Sequence, residues 1–145
     1  IPYQDKYRDD LIFMILEAKN ALGRVPGLNE DLLDIQKNYT DKGGMFWLAI
    51  DEHDRVIGSV GVSIMENETE CYIHRLFVKY NQKHKGIGTE LLSTAEAYAI
   101  KKGKIATIVH LGKSKEQWFE AWAFYPKHGY VEIEDNIMRK ELKIL

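Results

Sequence analysis

The chain carries one cysteine, Cys71, so no disulfide can form within it, which suits a reducing compartment. A lone thiol in such a setting reads as a small buried side chain rather than a nucleophile. No apolar run approaches the ~20 residues that span a bilayer, and the first residues show no charged-then-apolar export signal. The expectation is a cytoplasmic chain with no membrane contact. Charge of one sign is lacking too: 20 Lys and Arg against 22 Asp and Glu leave a formal net charge of −2. Without a basic field, sequence-independent nucleic-acid binding is disfavoured, and any anion must be gripped by a local site. Repeats, low-complexity segments and interdomain linkers are absent from the 145 residues, of which 45% are hydrophobic. That is enough for one domain spanning 1–145 with a real core, and too little for two.

What is present alternates between two periods. Tyr7, Leu11, Met14, Ile15, Ala18 and Leu22 recur at helical spacing and predict an amphipathic helix ending before Gly23. Asn29 as N-cap, with Glu30 and Asp31 behind it, predicts a second helix that runs to Gly43. The Gly23–Gly27 loop between them is a candidate substrate cover. From Met45 the period falls to two. Residues 45–50, 55–65 and 70–78 predict an antiparallel meander turned at Asp51–Asp54 and Glu66–Thr69. Gly58 and Gly61 weaken the middle strand, which points to a bulge or a close backbone approach. A helix follows Gly88, closed by Lys101, Lys102 and Gly103, and Ile105–Leu111 predicts a strand buried on both faces. A helix over 116–125 and a hairpin of 131–134 with 137–142, turned at Asp135-Asn136, complete an α+β mixed sheet with a βαβ crossover.

The stretch from Val78 to Thr89 lies between a strand and a helix. Exposed amides and a partial positive charge at a helix start suit a pyrophosphate, with Lys83 and Lys85 adding attraction and Gly86 and Gly88 leaving room for approach. Taken alone, the same residues also describe a solvated turn. Neither GxGxxG nor GxxxxGK followed by Ser or Thr is present.

Lys83-His84-Lys85-Gly86-Ile87-Gly88, following the strand Arg75-Leu76-Phe77-Val78, resembles the acetyl-CoA motif of the GNAT acetyltransferases. That motif reads Gln or Arg, two residues, Gly, one residue, then Gly or Ala. Ala121-Trp122-Ala123-Phe124-Tyr125-Pro126-Lys127-His128-Gly129-Tyr130 resembles the family's second signature, in the right order and spacing. The likeness covers roughly 45–142 and implies a GNAT-like, largely antiparallel twisted sheet flanked by helices. It implies acetyl-CoA as co-substrate, no metal, and a small-molecule or peptide amine as acceptor. Leu76, Phe77 and Val78 would offer backbone to the pantetheine arm, and Lys83, His84, Lys85, Gly86, Ile87, Gly88 and Thr89 would hold the phosphates. Tyr125 would be the general acid for the departing thiolate. Some members dimerise through terminal strands, which places a homodimer contact at 137–142 as an exposed edge.

Three positions depart from the family pattern. Lys83 stands where Gln or Arg is usual, Trp118 where many members carry an Asn that meets the cofactor, and Tyr72 where several carry a Glu. The general base is therefore open among Glu70, His74, His110 and water. Phe46, Trp47 and Trp122 read as core aromatics. The main alternative to an enzyme is a non-catalytic acyl-CoA-binding sensor or interaction module, and a weaker one is a nucleotide-binding protein using the same loop.

Overall fold

The computed structural model of the chain describes residues 1–21, 30–65, 68–112 and 118–142. One six-stranded sheet organises them. Its strands are β1 (Met45–Ile50), β2 (Val56–Ile64), β3 (Glu70–Val78), β4 (Ala106–His110), β5 (Val131–Glu134) and β6 (Ile137–Glu141), in the spatial order β1-β2-β3-β4-β6-β5. Every neighbouring pair is antiparallel except β3 and β4, which are parallel and joined by a helix. A parallel pair cannot be joined by a tight turn, so this crossover is what the intervening helix makes possible. The N-terminal residues extend the sheet beyond β1: Tyr3 N–H donates to Phe46 O at 2.8 Å, and Leu48 N–H donates to Ile1 O at 2.8 Å.

The period-two pattern of β1 sends adjacent aromatics to opposite faces. Phe46 joins a buried cluster with Leu11, Ile15, Leu32 and Tyr39, built with α1 (Arg8–Ala21) and α2 (Ile35–Asn38). Trp47 joins the opposite cluster with Val62, Ile73, Leu92, Val109 and Tyr125, built with the crossover helix α3 (Ile87–Lys101) and α4 (Phe119–Lys127). Burying such side chains stabilises by about 1.5–3 kcal/mol each, so both faces of the sheet are held by their helices. The two β2 glycines mark where that packing is closest. A Cβ on Gly58 would lie 2.9 Å from Leu91 Cδ1, and one on Gly61 would lie 2.8 Å from the Phe46 ring. The β2–β3 register also shifts between Ser59 and Gly61, so the expected bulge and the expected close approach are both present.

Several expectations need correction. The second helix is broken into a 3-10 turn (Glu30–Leu33), the short α2 and another 3-10 turn (Thr40–Lys42). Asp34 supplies the cap inside it, accepting from Lys37 N–H at 3.0 Å, because a capping carboxylate offers the backbone an exit from one helix and an entry to the next. The Asn29 cap and the Gly23–Gly27 loop lie outside the described residues. The last helix runs to Lys127, with Pro126 in its final turn. Residues 137–142 do not form an edge: β6 sits between β4 and β5, and β5 is the outer strand. The hairpin folds back so that its second strand, carrying Met138 into the core, pairs with β4.

Candidate active site

β3 is nine residues long, yet only Glu70 to Ile73 pair with β4, and the ladder stops at Ile73↔Val109. Beyond that point each strand keeps its outer neighbour and loses its inner one. His74, Phe77 and Val78 stay paired with β2, while Val109 and His110 stay paired with β6. The parting coincides with Arg75, which adopts φ of 55° inside the strand. Its carbonyl accepts from Ser59 Oγ at 2.7 Å, and its guanidinium meets Asp31 through Nε at 3.1 Å and Nη2 at 2.7 Å. Asp31 also accepts from Tyr39 OH at 2.8 Å. Burial works to raise the Asp31 pKa, but the hydrogen bonds from Arg75 and Tyr39 and the Arg75 charge outweigh it and hold the carboxyl below its ordinary range. A strained residue in a strand is retained where surrounding contacts over-determine it, and here they do.

Among the described residues, the backbone of Leu76, Phe77 and Val78 therefore has no strand partner on the β4 side. The chain then makes a 3-10 turn (Tyr80–Gln82) and reaches the expected loop. His84 (φ 64°) and Gly86 (φ 83°) are both left-handed, and Gly86 is the N-cap of α3 with no side chain capping the helix. The first amides of α3 thus lack intrahelical partners and face outward with the positive end of the helix dipole. Ile87 is half-buried against the α3-side core, whereas Thr89 is exposed.

α4 lies across this loop by one stripe of side chains spaced four apart. Glu120 accepts a hydrogen bond from Lys83 Nζ. Phe124 covers Gly88, where a Cβ would lie 3.4 Å from the ring. His128 donates from Nδ1 to Phe124 O at 2.9 Å, leaving Nε2 to share a hydrogen bond with Thr89 Oγ1 at 3.0 Å. Lys85 donates to Gln82 Oε1 at 3.0 Å. The seven loop residues expected to hold phosphates are thus brought together at one helix start, with Lys83 and Thr89 engaged by α4.

Tyr125 points to the other side of α4 and is buried, edge-on to Phe124 at 5.3 Å and to Tyr130 at 5.2 Å. Its hydroxyl has no hydrogen-bond partner among the described residues, and burial raises its pKa. It stays protonated well beyond neutral pH. Tyr130, also in the second signature, serves structure instead: its hydroxyl shares a hydrogen bond with Thr107 at 2.6 Å and donates to Glu96 at 2.9 Å. Trp118 lies against Gly112 at the end of β4, where an added methyl would overlap its indole at 1.8 Å.

The candidate bases separate clearly. Glu70 is tied to Arg139, whose Nε donates at 2.5 Å. His110 is exposed at the end of β4, with its ring 5.6 Å from that of Tyr72. His74 shares a hydrogen bond with Ser63 Oγ through Nε2 at 2.7 Å. Sequence reading misses Ser63, Asp31, Glu120 and His128. The four-residue spacing of Glu120, Phe124 and His128 is a usable signal for a docking stripe, whereas nothing local marks Arg75 as the bulge or Asp31 as its partner.

The chain belongs to the acetyltransferase (GNAT) family, whose model matches residues 12–130. It is similar to a GNAT-family acetyltransferase from Staphylococcus aureus of known crystal structure, with a TM-score of 0.89 and 25% identity over 99% of this chain and 98% of that one. The fold is shared by the PaiA N-acetyltransferase of Thermoplasma acidophilum, solved in complex with coenzyme A, with a TM-score of 0.70 and 21% identity over 94% and 93% of the two chains. Human N-acetyltransferase 8 is 29% identical over 105 residues, which are 69% of this chain and 44% of that protein. The chain thus spans less than half the length of that relative.

Proposed function

We propose that the protein transfers an acetyl group from acetyl-CoA to a primary amine by direct attack within a ternary complex. The observation that carries this reading is the parting of β3 from β4 beside the uncapped start of α3. Unpaired strand backbone at Leu76–Val78 suits the amide-rich pantetheine arm, and the free amides after Gly86 suit the pyrophosphate. Both lie on the path from β3 to α3, so one extended coenzyme reaches both. The coenzyme A complex of the Thermoplasma acidophilum relative supports this cofactor.

The reaction needs a neutral amine, stabilisation of the tetrahedral oxyanion and a proton for the thiolate. Tyr125 fills the last role as general acid: its side chain is buried, its hydroxyl is uncommitted among the described residues, and its raised pKa keeps the proton available. The acceptor approaches the opening from the α1–α2 side of the sheet. Cytoplasmic action fits a chain that needs no disulfide and none of whose described helices is long and apolar enough to cross a membrane.

Titration calorimetry with coenzyme A, followed by thiol release from acetyl-CoA with spermidine, tyramine and a lysine-containing peptide, tests the reading. Saturable binding and turnover with at least one amine are expected, and Tyr125→Phe should lower kcat by ~10²–10⁴ while binding persists. Binding with no turnover for any amine would favour the sensor module, for which the commitment of Lys83 to Glu120 is the supporting contact. Absence of coenzyme A binding would remove both.

A further inference from the structure

Which residue takes the proton from the amine is left open by the family signatures, and the geometry on the α1–α2 face of the sheet selects one. We propose that His74 is the catalytic base, its imidazole fixed by Ser63 and walled by Tyr39 and Tyr72 at the point where β3 leaves β4. The proposal rests on the acetyl-transfer reading above.

Three observations converge on His74. It is the first β3 residue past the last β3–β4 pair, Ile73↔Val109, and so stands at the mouth of the opening. Its ring is held rather than free: Ser63 on β2 shares its Nε2 at 2.7 Å, Tyr72 stacks at 6.4 Å and 28°, and Tyr39 lies edge-on at 6.2 Å. It is half-buried, which leaves part of the ring reachable. The alternatives fail on one or other count, since Glu70 is held by Arg139 and His110 is exposed with no hydrogen bond to orient it among the described residues.

Burial, more than the surrounding charges, keeps the imidazole neutral. Burial lowers its pKa from the ordinary 6.5, Arg75 on the same strand and His110 on β4 lower it further, and Asp31 from the turn before α2 opposes them. Tyr39, Tyr72 and Ser63 are neutral neighbours. Arg75 and Asp31 form an ion pair with each other, so their fields largely cancel and burial decides the sign. A neutral imidazole accepts a proton at physiological pH.

The proton balance is then complete. An ammonium acceptor gives one proton to His74, and the neutral nitrogen attacks the thioester carbonyl. As the tetrahedral intermediate collapses, the C–N bond is kept and the C–S bond breaks. The thiolate takes a proton from Tyr125, which is replenished by the second proton leaving the nitrogen. The imidazolium releases its proton to solvent, so one proton is lost per acetyl group transferred.

His74→Gln tests this with the probe amine that turns over best. Expected are an unchanged coenzyme A affinity by calorimetry, a fall in kcat/KM of ~10²–10⁴, and loss of the acid limb that the wild type shows below pH 6.5. His74→Ala should regain turnover when imidazole is added, a rescue that a merely structural residue would not show. Wild-type turnover surviving His74→Gln with the acid limb unmoved, or no imidazole rescue in a folded His74→Ala, would overturn the assignment of His74 alone. No wild-type turnover with any probe would overturn the acetyl-transfer reading beneath it.

Discussion

Gly86 and Gly88 sit two residues apart and meet different demands. Gly86 has φ of 83° with nothing within 4 Å of where a methyl would stand, so only its backbone angle requires glycine. Gly88 has an ordinary helical position, and a methyl there would touch the Phe124 ring at 3.4 Å. Gly86→Ala should therefore lower stability by about 1–2 kcal/mol, the cost of a left-handed L-residue, and weaken coenzyme A binding. Gly88→Ala should be neutral or gain up to about 1 kcal/mol from helix propensity, with binding retained. Urea unfolding of both variants checks the pair, and equal losses would contradict this division of roles. The loop is legible in the sequence because glycine reports its own permissiveness. Arg75 is not, since a positive φ in a non-glycine residue is imposed by tertiary partners, here Ser59 and Asp31, that lie far along the chain.

At the scale of elements, long runs with a clear period are the readable part. The three meander strands, α3 and its Gly103 stop all follow from local pattern. The segment from Glu30 to Gly43 reads as one helix because its apolar spacing is helical, yet Asp34 caps within it and the run breaks into single turns. The order β4-β6-β5 is beyond the reach of local pattern, because which hairpin strand pairs with β4 depends on the core it meets and not on the hairpin itself. The docking of α4 over the cofactor loop carries its own prediction. Lys83 cannot serve Glu120 and a phosphate equally, and an ion pair of partly exposed groups is worth ~0.2–1 kcal/mol. Glu120→Gln should thus tighten coenzyme A binding by up to about fivefold, with a steeper loss of affinity as salt is added. Lys83→Met should weaken it. Calorimetry at two salt concentrations reads both effects, and weaker binding in Glu120→Gln would mean that the carboxylate orients Lys83 for the phosphate instead.

For the whole molecule, titratable groups are placed where the two faces of the sheet are tied together, so stability should have a broad plateau with identifiable edges. On the alkaline side, Tyr39, Tyr125 and Tyr130 all have pKa values raised above the ordinary 10.0, mainly by burial. Their contribution is fully present below pH 10.0 and is lost as pH rises past it, because the unfolded chain releases those protons first. On the acid side the sign reverses. Asp31 is held below its ordinary 3.8, so the unfolded chain binds its proton first and the contribution fades as pH falls through and beneath that value. Asp31 joins the turn before α2 to the Arg75 bulge, so its protonation loosens the same contact that parts β3 from β4. Asp31→Asn should cost about 1–3 kcal/mol at neutral pH, since Arg75 is left half-buried with a neutral partner. The variant should also lose less stability than the wild type between neutral pH and pH 3, and bind coenzyme A more weakly. Urea unfolding midpoints across that range measure the first two effects. Parallel pH profiles for wild type and Asp31→Asn would show that the carboxylate does not hold the opening in place.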